Sequence, residues 1–143
     1  MSNEANKAVM RRYISELNRR NVSVLDEVVT DEFRDEVRRG YERNTSAFAD
    51  YTVDILDLIA EGDQVVLEWS YRGTQSGVYE GVPPTGKVMS GVAISIYTLT
   101  DGRIAAARGV WDSGEVWQQL GLIPDTETIL KGKASSPSPR NVS

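Results

Sequence analysis

From about Asn6 onward the apolar residues Val9, Met10, Tyr13 and Leu17 recur at the three- and four-residue spacing of a helix face; after the polar break Asn18 to Asn21 come Leu25, Val28 and Val29. This pattern predicts two helices up to Val29. The second is expected to be capped by Ser23, whose hydroxyl can accept from the free N–H groups of a first turn, with Asp26 three residues on imitating a capping box. A weaker helical pattern covers Arg38 to Ala49, interrupted by Gly40. After Asp50 the period shortens to two. Strands are predicted over Tyr51 to Leu58, Gln64 to Gly73, Val88 to Leu99 and Arg103 to Asp112. Turns fall at Glu61-Gly62-Asp63 and at Thr100-Asp101-Gly102, where Gly102 suits a positive φ. Between the second and third strands lies GVYEGVPPTG, Gly77 to Gly86, whose paired prolines and three glycines predict an ordered loop. A helical turn is expected over Glu115 to Leu120.

Helices first and a meander of antiparallel strands after them is an α+β order. A curved sheet wrapped around the helices would form a cone, with every second strand residue facing its cavity. The chain of 143 residues is the size of one domain, taken here as residues 1–130, and the small, polar, proline-bearing stretch at 131–143 predicts a disordered tail.

The formal net charge of -5 argues against nucleic-acid or anionic-membrane partners, which call for clustered basic surface. The densest basic run, Arg34 to Arg43, contains Asp35, Glu36 and Glu42, and reads as a solvated, self-paired surface segment. No run approaches the roughly 20 apolar residues of a membrane helix. Without cysteine there is neither disulfide nor thiolate chemistry, and a reducing cytoplasm is the expected compartment. Without histidine, proton chemistry falls to carboxylates, tyrosines or water, and no metal site is expected.

The candidate for that chemistry is Asp112, at the end of an otherwise apolar strand. A carboxylate at the mouth of a hydrophobic cavity is disfavoured in its charged form and so can both take and give protons. Its other role would be to cap the turn starting at Ser113. Arg108 is an even number of residues away and shares its strand face, where it could hold an enolate oxygen or form a surface ion pair. Trp69 and Tyr71 share one face of their strand and Glu68, Ser70 and Arg72 the other, with the cavity side open to either. Glu68 is thus either a second carboxyl or an exposed charge. Tyr13, Tyr97, Trp111 and Trp117 are candidate walls for a flat ligand or plain core, and Tyr13 is the preferred oxyanion donor.

Several segments together resemble the SnoaL-like polyketide cyclases, a branch of the cone-shaped fold shared with nuclear transport factor two and ketosteroid isomerase. They are Leu58 to Val66, Arg72-Gly73-Thr74 through Gly81 to Lys87, Asp101 to Ile104, and Trp111-Asp112 leading to Gln119-Leu120-Gly121. The resemblance implies a cofactor-free aldol-type ring closure of a hydrophobic, carbonyl-rich small molecule, with Asp112 at the position of the family's acid/base aspartate. It also implies homodimers. Thr98 and Gln75 stand where some family members carry histidine, and both could hydrogen-bond a carbonyl. Two other functions stay open: epoxide hydrolysis, as in the limonene-epoxide hydrolase branch, with Arg108 and Asp112 as its groups, and ligand holding without catalysis.

Overall fold

The computed structural model describes residues 2–135. Helix α1, Asn3–Asn18, starts at Ser2, whose hydroxyl accepts from the Ala5 N–H at 3.0 Å. It ends where Arg20 adopts a left-handed φ of 66°, letting the Arg20 and Asn21 N–H groups close on the Leu17 and Glu16 carbonyls. Asn18 then acts as a strand partner: its amide donates to the Val53 carbonyl at 2.7 Å and accepts from the Val53 N–H at 3.0 Å. A 3-10 turn, Val22–Val24, leads into the short α2, Leu25–Val28. Ser23 does not cap it. It lies inside the 3-10 turn and donates instead to Asn21 Oδ1 at 2.6 Å.

Helix α3, Asp31–Ala47, begins seven residues before the expected start and passes through Gly40 unbroken. Asp31 and Glu32 favour its positive N-terminal end. The basic run on α3 pairs largely with residues outside it, Arg34 with Asp26 and Asp31, Arg38 with Asp26, and Arg43 with Glu80. The expected self-paired surface segment is therefore a helix tied to its surroundings.

Strands β1, Thr52–Glu61, β2, Gln64–Thr74, β3, Val88–Thr100, and β4, Arg103–Trp111, form an antiparallel sheet in the order β1-β2-β3-β4. The strand predictions hold to within three residues. The sheet is open, with β1 and β4 unpaired to each other, so a closed conical barrel is not what the strands build. A single parallel bridge, Val29 to Ile104, ties the segment after α2 to β4, and the Thr30 N–H donates to the Ile104 carbonyl at 2.9 Å. Register shifts at Ile55/Asp57 and at Thr98/Leu99 mark bulges. After β4 come α4, Ser113–Gln119, and α5, Thr126–Ser135. Residues 131–135 of the expected tail thus continue α5, and 136–143 lie outside the described residues. Among those described, no helix is long and apolar enough to cross a membrane.

Two hydrophobic clusters fill the space between helices and sheet. The first is aliphatic, built from Met10, Leu25, Val28, Val29, Leu67, Leu99 and Ile104 among others. The second sits at the other end of the sheet and contains Phe48, Tyr71, Tyr79, Met89, Val116 and Leu120. Trp69 packs against both. The end of α3 can lie on the loop after β2 because Gly77 has no side chain, since a Cβ there would run into the Ser46 carbonyl oxygen.

Candidate functional site

The inner face of the sheet is set by β2, where Val65, Leu67, Trp69 and Tyr71 alternate with outward neighbours, and the pairing carries that parity to Tyr97, Ser95, Ala93 and Gly91 on β3. On β4 the inward residues are Ala107, Gly109 and Trp111, opposite Tyr97, Ser95 and Ala93. Opposite this face lies α3. Its residues Phe33, Val37, Gly40, Tyr41 and Asn44 form one stripe at helical spacing. Between the two are two adjoining chambers.

The first chamber, about 400 Å³, lies under α1 and α3 and is walled by Tyr13, Phe33, Val37, Tyr41, Tyr97 and Leu67. The second, about 420 Å³, is walled by Phe48, Tyr71, Tyr79, Met89, Ser95 and Trp111. Arg43, Asn44, Tyr51 and Trp69 border both. The aromatic walls of the second chamber meet at steep angles: Trp69 and Tyr71 lie 5.5 Å apart at 57°, Tyr71 and Trp111 6.4 Å apart at 83°. Trp69 is fixed in rotation by its indole N–H, which donates to Ser95 Oγ at 3.0 Å.

Four of the polar side chains of the first chamber are phenols, Tyr13, Tyr41, Tyr51 and Tyr97. Burial pushes the Tyr13 hydroxyl far above the usual phenol value, reinforced by the nearby Tyr97 and Tyr51 oxygens. Tyr51 is raised likewise by burial and then by Tyr71, Tyr79 and Tyr97. Tyr97 is pushed up to about 12 by burial, partly offset by a hydrogen bond with Ser95. Each therefore keeps its proton at neutral pH and can donate a hydrogen bond to a carbonyl or enolate oxygen. At the chamber mouth Arg43 on α3 faces Glu80 in the loop at 3.8 Å.

The sequence candidates divide. Tyr13, Trp69, Tyr71, Tyr97 and Trp111 line the chambers. Arg108 does not: it pairs with Ile96 on the outer, exposed face of β4. Even spacing failed to join it to Asp112 because the strand stops at Trp111, one residue short. Glu68, opposite Ile94, and Thr98, opposite Gln64 and Ala106, are also outward. Trp117 on α4 stacks on Tyr79 at 5.8 Å and supports a wall without being one.

Gln75 is fully buried and touches no chamber. Its amide nitrogen donates to the carbonyls of Gly77, Val82 and Pro83, and its oxygen accepts from the Thr85 N–H and hydroxyl. It is the hub of the residue 75–87 loop. Within that loop Tyr79 and Val82 bond reciprocally around Glu80 and Gly81, both at positive φ, forming the tight turn that brings Glu80 to Arg43.

Asp112 is exposed, so the desolvated setting expected for it is absent. It is the N-cap of α4, accepting from the Glu115 N–H at 2.9 Å. Its chain neighbour Trp111 lines the second chamber, as does Val116, and its charge, after burial and Glu115, raises the Tyr71 hydroxyl. Asp112 thus stands on the lip of that chamber. The residues missing from the sequence reading are Tyr51, Arg43 and Asn44. Extending the Phe33, Val37 spacing forward along one helix face reaches Tyr41 and Asn44, and was the available signal.

A family model for SnoaL-like polyketide cyclases matches residues 7–120. The chain belongs to that family. Among solved structures it is similar to TsrD from Streptomyces laurentii, at 23% identity over 86% of this chain and 99% of that one, with a TM-score of 0.80. AclR from Streptomyces galilaeus, a candidate hydroxylase, is 22% identical over 93% of this chain and 92% of its own, TM-score 0.81. A candidate SnoaL-like polyketide cyclase from Jannaschia sp. CCS1 is 22% identical over 85% and 95%, TM-score 0.78. At these identities the likeness establishes the fold. No curated protein matches the sequence.

Proposed function

We propose that this family member is a cofactor-free cyclase or isomerase acting on a flat, carbonyl-rich polyketide or similar metabolite. The observation that supports it most is the two-chambered aromatic cavity with protonated tyrosines in its walls. In this reading Tyr13, Tyr51 and Tyr97 donate hydrogen bonds to a ligand carbonyl, which becomes an enolate oxygen as a proton leaves the adjacent carbon. Donors already aimed at developing negative charge lower the barrier without having to reorganise. Asp112, leaving its cap on the lip, takes that proton. The enolate carbon bonds to a second carbonyl carbon, the new alkoxide regains the proton, and the product has the mass of the substrate. A proton flanked by two carbonyls is acidic enough for a carboxylate to remove.

The place of Asp112 outside the chamber walls favours a second reading, in which the cavity holds a ligand without transforming it. Epoxide hydrolysis has less support, because Arg108 lies on the opposite face of the sheet from the cavity. Incubation with a linear poly-β-carbonyl thioester mimic, followed by mass spectrometry and chromatography, separates these. Cyclisation gives a new peak of unchanged mass that is lost in Asp112→Asn. A thermal shift from the mimic without any product supports holding. Full turnover in Asp112→Asn overturns the role given to Asp112.

A further inference from the structure

The walls of the two chambers carry four charged side chains: Arg20 and Glu36 in the first, Glu80 in the second, and Arg43 in both. Their states differ. Arg20 is engaged with neutral acceptors, donating to the Ala49 and Tyr51 carbonyls at 2.8 Å each and to the Leu17 carbonyl at 3.4 Å. Its positive charge is thus fixed against the cavity wall, with no ion pair to a carboxylate among the described residues. Glu36 lies on the exposed side of α3, two turns before Arg43. Arg43 meets Glu80 at 3.8 Å, beyond hydrogen-bond length, with both side chains about half exposed at 60% and 49%. An ion pair so long and so wet contributes little. Beside Arg43, the Asn44 side chain faces both chambers and makes no hydrogen bond among the described residues.

We infer that Arg43, with Asn44, is a specificity element for an anionic group, and that the preferred ligand is an aromatic polyketide carboxylate rather than a neutral ring system. This rests on the aromatic-ligand reading of the cavity. The guanidinium offers a planar fork of donors that a carboxylate fills in a bidentate manner, which a single distant glutamate oxygen does not. The ligand's carboxylate takes the place of Glu80, and the Asn44 amide supplies a further donor. Its rings lie along Tyr51 and Trp69, the two aromatic residues that, like Arg43, border both chambers. Arg20 adds a second positive charge to the wall. The two glutamates of the walls, Glu36 and Glu80, balance the two arginines in number, so the preference for an anion rests on the bidentate fork of Arg43 rather than on the summed charge of the cavity.

The charges predict a pattern of opposite signs, read by quenching of tryptophan fluorescence with two probes, anthraquinone-2-carboxylate and its neutral carboxamide. The wild-type chain is expected to bind the carboxylate about 10-fold more tightly, as a charge-assisted bidentate contact provides. Arg43→Gln brings that ratio close to one with the carboxamide unaffected. Arg43→Lys, which keeps the charge and loses the fork, falls between. Glu80→Gln removes the competitor and tightens carboxylate binding about 3-fold. Equal wild-type affinities, or a preference that survives Arg43→Gln, overturn the inference and leave the aromatic-ligand reading standing. If neither probe binds, that reading falls and this one with it.

Discussion

The two hydrophobic clusters differ in what they are made of and in what they border. The first is aliphatic and packs α1, α2 and the inner face of β1 to β4 against one another, with residues such as Ile104 and Val29 touching no chamber. The second is built of the rings of Phe48, Tyr71 and Tyr79 with Met89, Ala47, Ala93, Val116 and Leu120, and most of its larger side chains face an opening. Stability is concentrated in the members of the first that face no chamber, and ligand selection in the side chains of either cluster that wall one, because a wall that must admit a ligand cannot also be close-packed on that side.

The largest effect should come from Ile104→Ala. The side chain is fully buried and its backbone carries the parallel bridge, so about 2–5 kcal/mol should be lost in urea titration. Trp111→Ala, at a half-exposed wall, should cost far less stability and yet abolish aromatic-probe binding. Equal destabilisation by the two would break the division. Gln75→Ala comes next, because it strands three carbonyls and the Thr85 donors inside the loop. About 1–3 kcal/mol is expected, together with loss of probe binding as the Arg43–Glu80 mouth loosens.

At the lip, Asp112→Ala should cost about 1 kcal/mol through loss of the α4 cap, whereas asparagine can still accept from the Glu115 N–H and should be neutral in stability. That pair of variants separates capping from chemistry. The smallest effects are those of pH. The hydrogen bonds from the Thr74 N–H and hydroxyl hold Asp50 below the ordinary 3.8, and Arg34 and Arg103 do the same for Asp31. Both contributions are complete above that ordinary value and fade as pH falls through the lower folded values. In the other direction, Tyr13 and Tyr51 are raised above the ordinary 10.0, so stability should decline once pH passes about 10 and the unfolded phenols ionise first. Chemical denaturation at stepped pH reads both limbs, and a flat profile above pH about 10 would mean the phenols are not buried.

The same division explains what the sequence disclosed. Strand alternation is a two-residue signal that needs no partner to be read, so β1 to β4 were legible to within three residues. Which face turned inward was not, since alternation is symmetric: Trp69 and Tyr71 could equally have been outside, with Glu68 inside. Arg108 is open to the same ambiguity, because alternation does not say that the inward positions of β4 are Ala107, Gly109 and Trp111. The first half of α3 is hard to read because it carries only Phe33 and Val37 among charges, too few apolar positions to mark a helix face. Gln75 gave no sign of its role, as its acceptors Gly77, Val82 and Pro83 come together only once the loop is folded.

The sheet order β1-β2-β3-β4 also bears on how the molecule assembles. Each strand pairs only with its neighbour in the chain, so three hairpins can close locally, whereas the bridge from Val29 to Ile104 spans most of the domain. Closing that long segment carries the larger entropic cost and is expected late. The chambers exist only once the helical layer has settled on the finished meander. A ligand that binds only the chambered state would therefore act as a ratchet, holding that last docking step shut.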